Sequence, residues 1–138
     1  MAIANQWRAA ARWTLVLALA ASLPACLAAG AAAAGAGTGV YLTSRGAESI
    51  VAGPVDQVEQ RARSVLAKEG VDVTGTQTEG SGSKRELKGT KGDLEITVTM
   101  ERQDEKSTKT EVSARKNLVT WDKDYAQQLL GEIVKQQG

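Results

Sequence analysis

LEITVTME, residues 94–101, alternates apolar and polar side chains without a break. Leu94, Ile96, Val98 and Met100 take every second position, and Glu or Thr fills the positions between them. Successive side chains of a β-strand point to opposite faces of the sheet. The pattern therefore predicts a strand of a mainly antiparallel sheet, with one face on a core and the other in water.

Further strands are predicted on both sides of this segment, each bounded by turn residues. Val71 and Val73 begin a strand that ends before the loop 79–83, and a short strand is centred on Leu87. A strand over residues 110–119 follows, in which Val112, Ala114 and Leu118 share a face. Lys116 interrupts this face, so the end of the strand is expected to be exposed.

The start of the folded part leaves two alternatives open. Residues 40–42 and 48–51 are rich in β-formers, and Gly46 lies between them. They form either one strand bent at Gly46 or two short strands.

Two amphipathic helices are predicted from apolar stripes with helical spacing. The first opens at Gly53-Pro54, with Pro54 near the first helical position, and closes at Gly70. Its stripe is Val55, Val58, Ala62, Val65 and Leu66. The second runs from about Asp122, an N-cap residue, to Gln136. Its stripe is Tyr125, Ala126, Leu129, Leu130, Ile133 and Val134.

Together these elements predict an α+β domain over residues 40–138. Their order is β-α-β-β-β-β-α, and every apolar stripe is buried if two helices pack on one face of a sheet of four or five strands. The expected architecture is thus a two-layer sandwich.

The composition limits the chemistry of this domain. The 138 residues include one cysteine and no histidine, which excludes an intrachain disulfide, a Cys/His zinc site and Ser-His or Cys-His nucleophilic catalysis. We therefore predict no metal, no cofactor and no enzymatic activity; chemistry based on carboxylates alone is the remaining alternative.

The net charge also indicates which classes of partner are expected. Arg8 and Arg12 lie in the first 25 residues, and removing them from the 17 basic residues leaves 15 against 16 acidic residues. Nucleic-acid binding needs clustered positive charge, so nucleic acid is not an expected partner.

The first 25 residues have the features of an export signal. A segment with Arg8 and Arg12 precedes the apolar run 14–23, which is too short to span a bilayer core of about 20 apolar residues. Leu23-Pro24-Ala25-Cys26 follows. This arrangement resembles a bacterial lipoprotein precursor with its lipobox, although Pro24 departs from the usual small residue at that position.

The resemblance to lipoproteins implies a signal peptide over residues 1–25 and acyl chains on Cys26. Two or more acyl chains hold a protein stably on a membrane. Residues 26–39 would then be the lipidated cysteine and an Ala/Gly tether. By analogy with lipoprotein sorting, Leu27 favours the outer membrane, with the domain facing the periplasm.

Two alternatives to lipidation remain. In one, a plain secretory signal is cleaved and Cys26 has no role. In the other, the apolar run stays as a membrane segment that packs through Gly30, Ala34 and Gly35.

The whole pattern is similar to a family of small bacterial lipoproteins known as a domain of unknown function. The likeness is in the lipobox, the Ala/Gly stretch, the Val-Tyr strand near residue 40, the Pro-initiated helix and the hairpin-rich sheet that ends in a helix. It implies an envelope location and this fold, and it assigns no catalytic residues.

Two groups of residues are candidates for binding. Lys84, Arg85, Lys88 and Lys91 are the densest basic group and offer contacts to anionic lipid or polymer, although Lys84, Glu86 and Lys88 share a side of the strand. The aromatic pair Trp121 and Tyr125 offers a binding hot spot, or else packs at the start of the last helix.

Two acidic pairs have simpler structural interpretations. We expect Asp122 of the pair Asp122/Asp124 to cap the last helix, and Asp104/Glu105 to form a solvated hairpin tip. The leading functional hypothesis is a membrane-anchored, non-enzymatic protein that docks on an envelope protein or glycan. Binding of anionic lipid or polymer through the 84–91 hairpin is the alternative.

Overall fold

Six strands and two α-helices form the part of the chain that the computed structural model describes, residues 39–136. The strands are β1 (Tyr41–Leu42), β2 (Gly46–Ala52), β3 (Asp72–Glu79), β4 (Lys84–Lys91), β5 (Leu94–Arg102) and β6 (Ser107–Arg115). The helices are α1 (Val55–Lys68), between β2 and β3, and α2 (Lys123–Lys135), after β6.

The strands form one antiparallel sheet in the order β1-β2-β6-β5-β4-β3. Helix α1 carries the chain from β2 to the far edge, and the meander β3 to β6 returns it to β2. Helix α2 packs on β2 and β6, whereas α1 packs mainly on β3, β4 and β5 and touches α2. The predicted α+β fold is confirmed.

The sheet has six strands rather than the predicted four or five, because residues 41–52 form two strands, of two and seven residues. A turn separates them, in which the Thr43 hydroxyl oxygen accepts hydrogen bonds from the backbone N–H of Arg45 (3.3 Å) and Gly46 (3.0 Å). The Thr43 N–H in turn donates to the Gly46 carbonyl (2.9 Å), so side-chain and backbone bonds together form the turn between the two strands.

The core lies between the sheet and the two helices. Its central row runs across four strands through Ala47, Val112, Val98 and Leu87, which are directly paired and fully buried. The predicted stripe of α1 is buried over this row: Val55, Val58, Ala62, Val65 and Leu66. Of the predicted α2 stripe, Ala126, Leu129, Leu130 and Ile133 are buried, and Tyr125 and Val134 are partly buried against the core. The alternation along β5 is confirmed, since Ile96, Val98 and Met100 are all buried.

The C-terminal end of α1 that the sequence predicted at Gly70 is confirmed. Gly70 follows α1 with φ of +73°, and its N–H donates to the Ala67 carbonyl (3.1 Å), while the Val71 N–H donates to the Leu66 carbonyl (2.8 Å). This pair of bonds is a Schellman motif, which uses glycine for its left-handed residue. Val71 therefore belongs to the helix end, and β3 begins at Asp72.

The prediction of a strand to residue 119 is wrong, whereas the predicted exposure of its end is confirmed. Strand β6 ends at Arg115, and the Asn117 side-chain oxygen accepts from the N–H of Val119 (3.0 Å) and of Thr120 (2.9 Å). Asn often turns the chain in this way, since its side chain competes with the strand ladder. Leu118 and Val119 are consequently 88% and 86% exposed at the tip of the turn.

The predictions for the N-terminal region concern residues other than the described ones. The signal peptide, Cys26 and the tether up to residue 38 lie outside residues 39–136, as do Gly30, Ala34 and Gly35. Within residues 39–136, neither helix has the length and apolar character needed to cross a bilayer.

Gly46 gives a direct test of the packing at the start of β2. A Cβ atom at this position would lie 2.0 Å from the Val112 carbonyl oxygen and 3.0 Å from the Ala126 side chain. We expect Gly46→Ala to lower the free energy of unfolding by at least about 1–3 kcal/mol, the usual effect of overpacking. Thermal unfolding measures this as a decrease in Tm of about 4–8 °C per kcal/mol.

Gly131→Ala is the matched control, because a Cβ there would meet nothing within 4 Å. Ala is favoured over Gly inside a helix by about 0.5–1 kcal/mol, so this variant should have a higher Tm. Equal effects of the two substitutions would contradict the close approach of β2 to β6 and α2.

Candidate functional site

The second face of the sheet, which we call the open face, has no helix packed on it among residues 39–136. Its side chains in the three central strands are almost all charged or hydroxylic. They are Lys84, Glu86, Lys88 and Thr90 of β4, Glu95, Thr97, Thr99 and Glu101 of β5, and Lys109, Glu111, Ser113 and Arg115 of β6. The open face is thus the polar half of the strand alternation.

A depression of about 350 Å³ lies in the middle of the open face. Its floor carries three short hydroxylic side chains, Thr97, Thr99 and Ser113. Longer charged side chains surround them: Arg45, Glu86, Lys88, Glu95, Glu111 and Arg115. The depression arises because strand register places short side chains side by side: Thr97 is opposite Ser113 on β6, and Thr99 is two residues along the same face of β5.

Two ion pairs hold the charged rim of the depression. Lys88 Nζ lies 3.1 Å from a Glu86 carboxylate oxygen. Arg115 pairs with Glu95 across the strands, and its Nε donates to the carboxylate at 2.8 Å. These side chains are therefore oriented before any ligand arrives, although each pair is exposed and contributes little to stability.

Glu111 differs from the other two acidic residues of the rim, Glu86 and Glu95, which are paired with bases. It is half-buried and has no hydrogen-bond or ion-pair partner among residues 39–136. Directly opposite it on β2 lies Glu48, whose own partner is Lys109 at 3.3 Å. Like charges placed directly opposite in a sheet are destabilising, so the free carboxylate of Glu111 lowers the stability of the fold.

Trp121 forms one wall of the depression. It pairs with Arg115 through an isolated β-bridge after the 116–120 turn, and the next N–H, of Asp122, donates to the Ala114 carbonyl (2.7 Å). The guanidinium of Arg45 lies 5.7 Å from the centre of the Trp121 ring, within the range of a cation–π contact. The ring is thereby fixed at the end of the open face.

The second predicted aromatic, Tyr125, is not at this site. It lies on α2, packs against the core, and its hydroxyl accepts a hydrogen bond from Lys91 Nζ (3.1 Å). The Lys91 ammonium also lies 5.0 Å from the centre of the Tyr125 ring. The structure thus places Trp121 beside the open face and gives Tyr125 a packing role on the helix side.

The four basic residues predicted as one group lie on two sides of β4. Lys84 and Lys88 are on the open face and pair with Glu79 (3.1 Å) and Glu86 respectively. Arg85 and Lys91 are on the helix side. Strand alternation separates them, so they form no continuous cationic surface. The hydrogen bond and charge of Glu79 raise the pKa of Lys84.

Arg85 belongs to an ion network between β4 and α1. It pairs with Glu59 and with Asp56, and Glu59 also accepts from Arg63 Nε (2.9 Å). Arg63 in turn donates to the Thr76 hydroxyl (2.8 Å). The network fastens the helix to the edge of the sheet.

The pKa of Glu59 reflects two opposing effects. Burial is the largest and favours the neutral acid, but the hydrogen bonds and charges of Arg85 and Arg63 together outweigh it. The pKa of Glu59 therefore lies below its ordinary value. The ionised form is the one that the folded state stabilises.

The acidic pairs have the structural roles that the sequence predicted. Asp122 caps α2, since its carboxylate accepts from the Tyr125 N–H (2.9 Å). Asp104 turns the exposed hairpin tip by accepting from the Ser107 hydroxyl and the Lys106 N–H (2.7 Å each). The hydrogen bond from Ser107 is the main cause of the lowered pKa of Asp104. No group of three or more potential metal ligands occurs in residues 39–136.

Most residues of the depression were not candidates in the sequence. Thr97 and Thr99 stand on the polar side of LEITVTME, so their exposure was predictable. Their position next to Ser113, Glu111 and Arg45 depends on the register of β5 with β6 and on the turn before β2. Nothing in the local sequence pattern specifies that register.

Comparison with known proteins adds no assignment to this geometry. No protein-family model matches the sequence, and no curated protein is similar to it at a significant level. The roles of these residues therefore have to be inferred from their contacts and chemistry.

Glu59→Gln tests the ion network through the pH dependence of stability. At neutral pH we expect a decrease of about 1–3 kcal/mol in the free energy of unfolding, because Arg85 and Arg63 lose a charged acceptor. Since the pKa of Glu59 is lowered by folding, its contribution is complete above the unfolded value of about 4.3 and is lost as the pH falls through the folded value. Urea unfolding at pH 7 and pH 3 measures this.

The difference between wild type and Glu59→Gln should therefore shrink in acid. Glu79→Gln is the control, since Glu79 also pairs with a base but its side chain is 62% exposed. That variant should change stability little at either pH. A Glu59→Gln deficit that is the same at pH 3 as at pH 7 would rule out the charged network as its cause.

Proposed function

We propose that this chain is a lipid-anchored protein of the bacterial envelope whose domain docks, without catalysis, on another envelope component through the open face. The observation that carries the docking role is the depression bounded by Trp121 on the uncovered face of the sheet. The signal-like leader and Cys26 in the sequence support the anchor.

The rigidity of the open face supports binding. The rim residues stand on paired strands, and Glu86, Lys88, Glu95 and Arg115 are already held in ion pairs. Side chains that are ordered before binding lose less conformational entropy when a partner arrives. The surface is therefore prepared for recognition.

The ion pairing of the carboxylates in the depression supports a non-catalytic role. General acid–base catalysis needs groups free to transfer protons in a suitable geometry. Glu86 and Glu95 are each engaged with a base, and Glu111 is the remaining carboxylate in the depression. The chain has no histidine that could act with it.

The anchor is tested by the intact mass of the protein extracted from membranes. We expect a chain that starts at Cys26 and carries a diacylglyceryl group and an N-acyl chain. Cys26→Ser should remove the added mass and release the protein from the membrane fraction, because the thiol is the attachment atom. An unacylated wild-type chain, or one that starts elsewhere, would contradict the anchor.

Docking is tested by crosslinking whole cells and purifying the full chain with its partner. Ser113→Arg places a long side chain on the floor of the depression, and we expect it to lose the partner that the wild type recovers. Gln77→Arg is the matched control, since Gln77 is exposed on β3 beside Glu86 but does not line the depression.

Thermal unfolding of both variants separates binding from folding. Equal Tm values with loss of the partner in Ser113→Arg alone support the proposed function. Recovery of the same partner by Ser113→Arg would show that docking uses another surface.

A further inference from the structure

The residues that line the depression indicate what class of partner it accepts. Trp121 is the one residue with a large apolar side chain among the ten described residues of the lining, and none of these ten is aliphatic. The centre of a protein–protein interface is usually apolar, and acyl chains need apolar walls. A protein surface or a lipid tail therefore fits this lining poorly.

The charges of the lining are balanced. Glu86, Glu95 and Glu111 oppose Lys88, Arg115 and Arg45, and two of the three possible pairs are formed. A ligand with a high net charge gains affinity and speed of association from a surface with a field of the opposite sign. The depression offers no such field, and this favours an uncharged ligand.

An uncharged carbohydrate matches the remaining features. Its hydroxyl and acetamido groups both donate and accept hydrogen bonds, as do the hydroxyls of Thr97, Thr99 and Ser113. Carboxylates in the rim accept from sugar hydroxyls, and the guanidinium and ammonium groups donate to sugar oxygens. The C–H face of a pyranose ring is apolar and can pack on the indole of Trp121, which combines an apolar ring with a polar N–H.

The size of the depression agrees with a short piece of glycan. At about 350 Å³ it lies near the lower end of the roughly 300–1,000 Å³ found for small-molecule sites. No helix among residues 39–136 packs on the surrounding sheet surface, so a longer chain can continue past the depression. A segment of a polymer can thus bind without a free end.

We propose that the open face binds an uncharged glycan chain, with Trp121 packed on a sugar ring and Glu111 accepting hydrogen bonds from sugar hydroxyls. This inference rests on the proposed docking function and specifies its partner. It also gives Glu111 a role. The carboxylate opposite Glu48 is unfavourable for the fold, and it would accept hydrogen bonds from the bound ligand. Charge-assisted hydrogen bonds of this kind are the stronger ones.

Trp121 provides the signal for the test. The other two tryptophans are Trp7 and Trp13, so in a chain that starts at residue 27 the indole fluorescence comes from Trp121 alone. Such a chain keeps the complete hydrophobic core, which lies between Ala47 and Ile133. The probe is a tetramer of N-acetylglucosamine, an uncharged glycan, added up to several millimolar.

We expect a saturable change in Trp121 fluorescence with a dissociation constant of about 1 mM or lower. Glu111→Gln should weaken binding about tenfold, because a neutral acceptor replaces a charged one. Its Tm should stay the same or rise, since repulsion with Glu48 is removed. Glu101→Gln is the control on the same face of β5; it lies outside the depression and should bind like the wild type.

Three outcomes would overturn the glycan proposal. They are no saturable change with the tetramer, unchanged affinity in Glu111→Gln, and tighter binding of a sulfated tetrasaccharide than of the uncharged one. If the tetramer does not bind but crosslinked cells yield a protein that Ser113→Arg loses, docking through the open face stands and the glycan assignment fails. If the tetramer does not bind and crosslinked cells yield no partner that Ser113→Arg loses, the docking function is rejected as well.

Discussion

The structure depends on one apolar layer, because the two helices cover a single face of the sheet. The core is built without phenylalanine, and the row through Leu87, Val98, Val112 and Ala47 is closed by aliphatic side chains of α1 and α2. A domain of about a hundred residues buries only enough surface for a modest stability. The three strands β4, β5 and β6 therefore place their apolar residues on the helix side, and the side chains on the opposite side are available for binding.

The two faces of β5 show how one strand contributes both to the core and to the depression. Ile96, Val98 and Met100 are fixed by packing, whereas Thr97 and Thr99 between them take part in no core contact and form the floor of a polar depression. The helix side thereby acts as the support that holds the hydroxyl groups in place. A free carboxylate at Glu111 is tolerated in this setting because the apolar layer carries the stability.

Periodicity in the sequence predicted the elements well where a single pattern decides the structure. The alternation of residues 94–101, both helix stripes, Gly70 and Asp122 each have a local physical cause, and all are confirmed. The predicted end of the last strand near Leu118 was wrong because the Asn117 side chain forms a turn there. Local patterns predict elements, while a single competing hydrogen bond can decide where one ends.

The surface could be predicted only in part, because it depends on register between distant segments. The basic residues of β4 are close in sequence, yet alternation places Arg85 with Glu59 of α1 and Lys88 with Glu86 on the open face. Arg45, from the turn before β2, reaches Trp121, which is 76 positions later in the numbering. Contacts of this kind follow from the order β2-β6-β5-β4 and have no signature in any one segment.

We expect the open face, on which no helix among residues 39–136 packs, to be the binding surface. Mapping of backbone and indole N–H chemical shifts by NMR, with solubilised envelope glycan added to the folded domain, tests it most directly. If a glycan binds to the open face, the chemical-shift changes should be concentrated at Thr97, Thr99, Ser113 and the Trp121 indole, and the signals of α1 should stay unchanged. Shifts confined to the helices or to the Leu118–Val119 tip, with the open face unaffected, would contradict it.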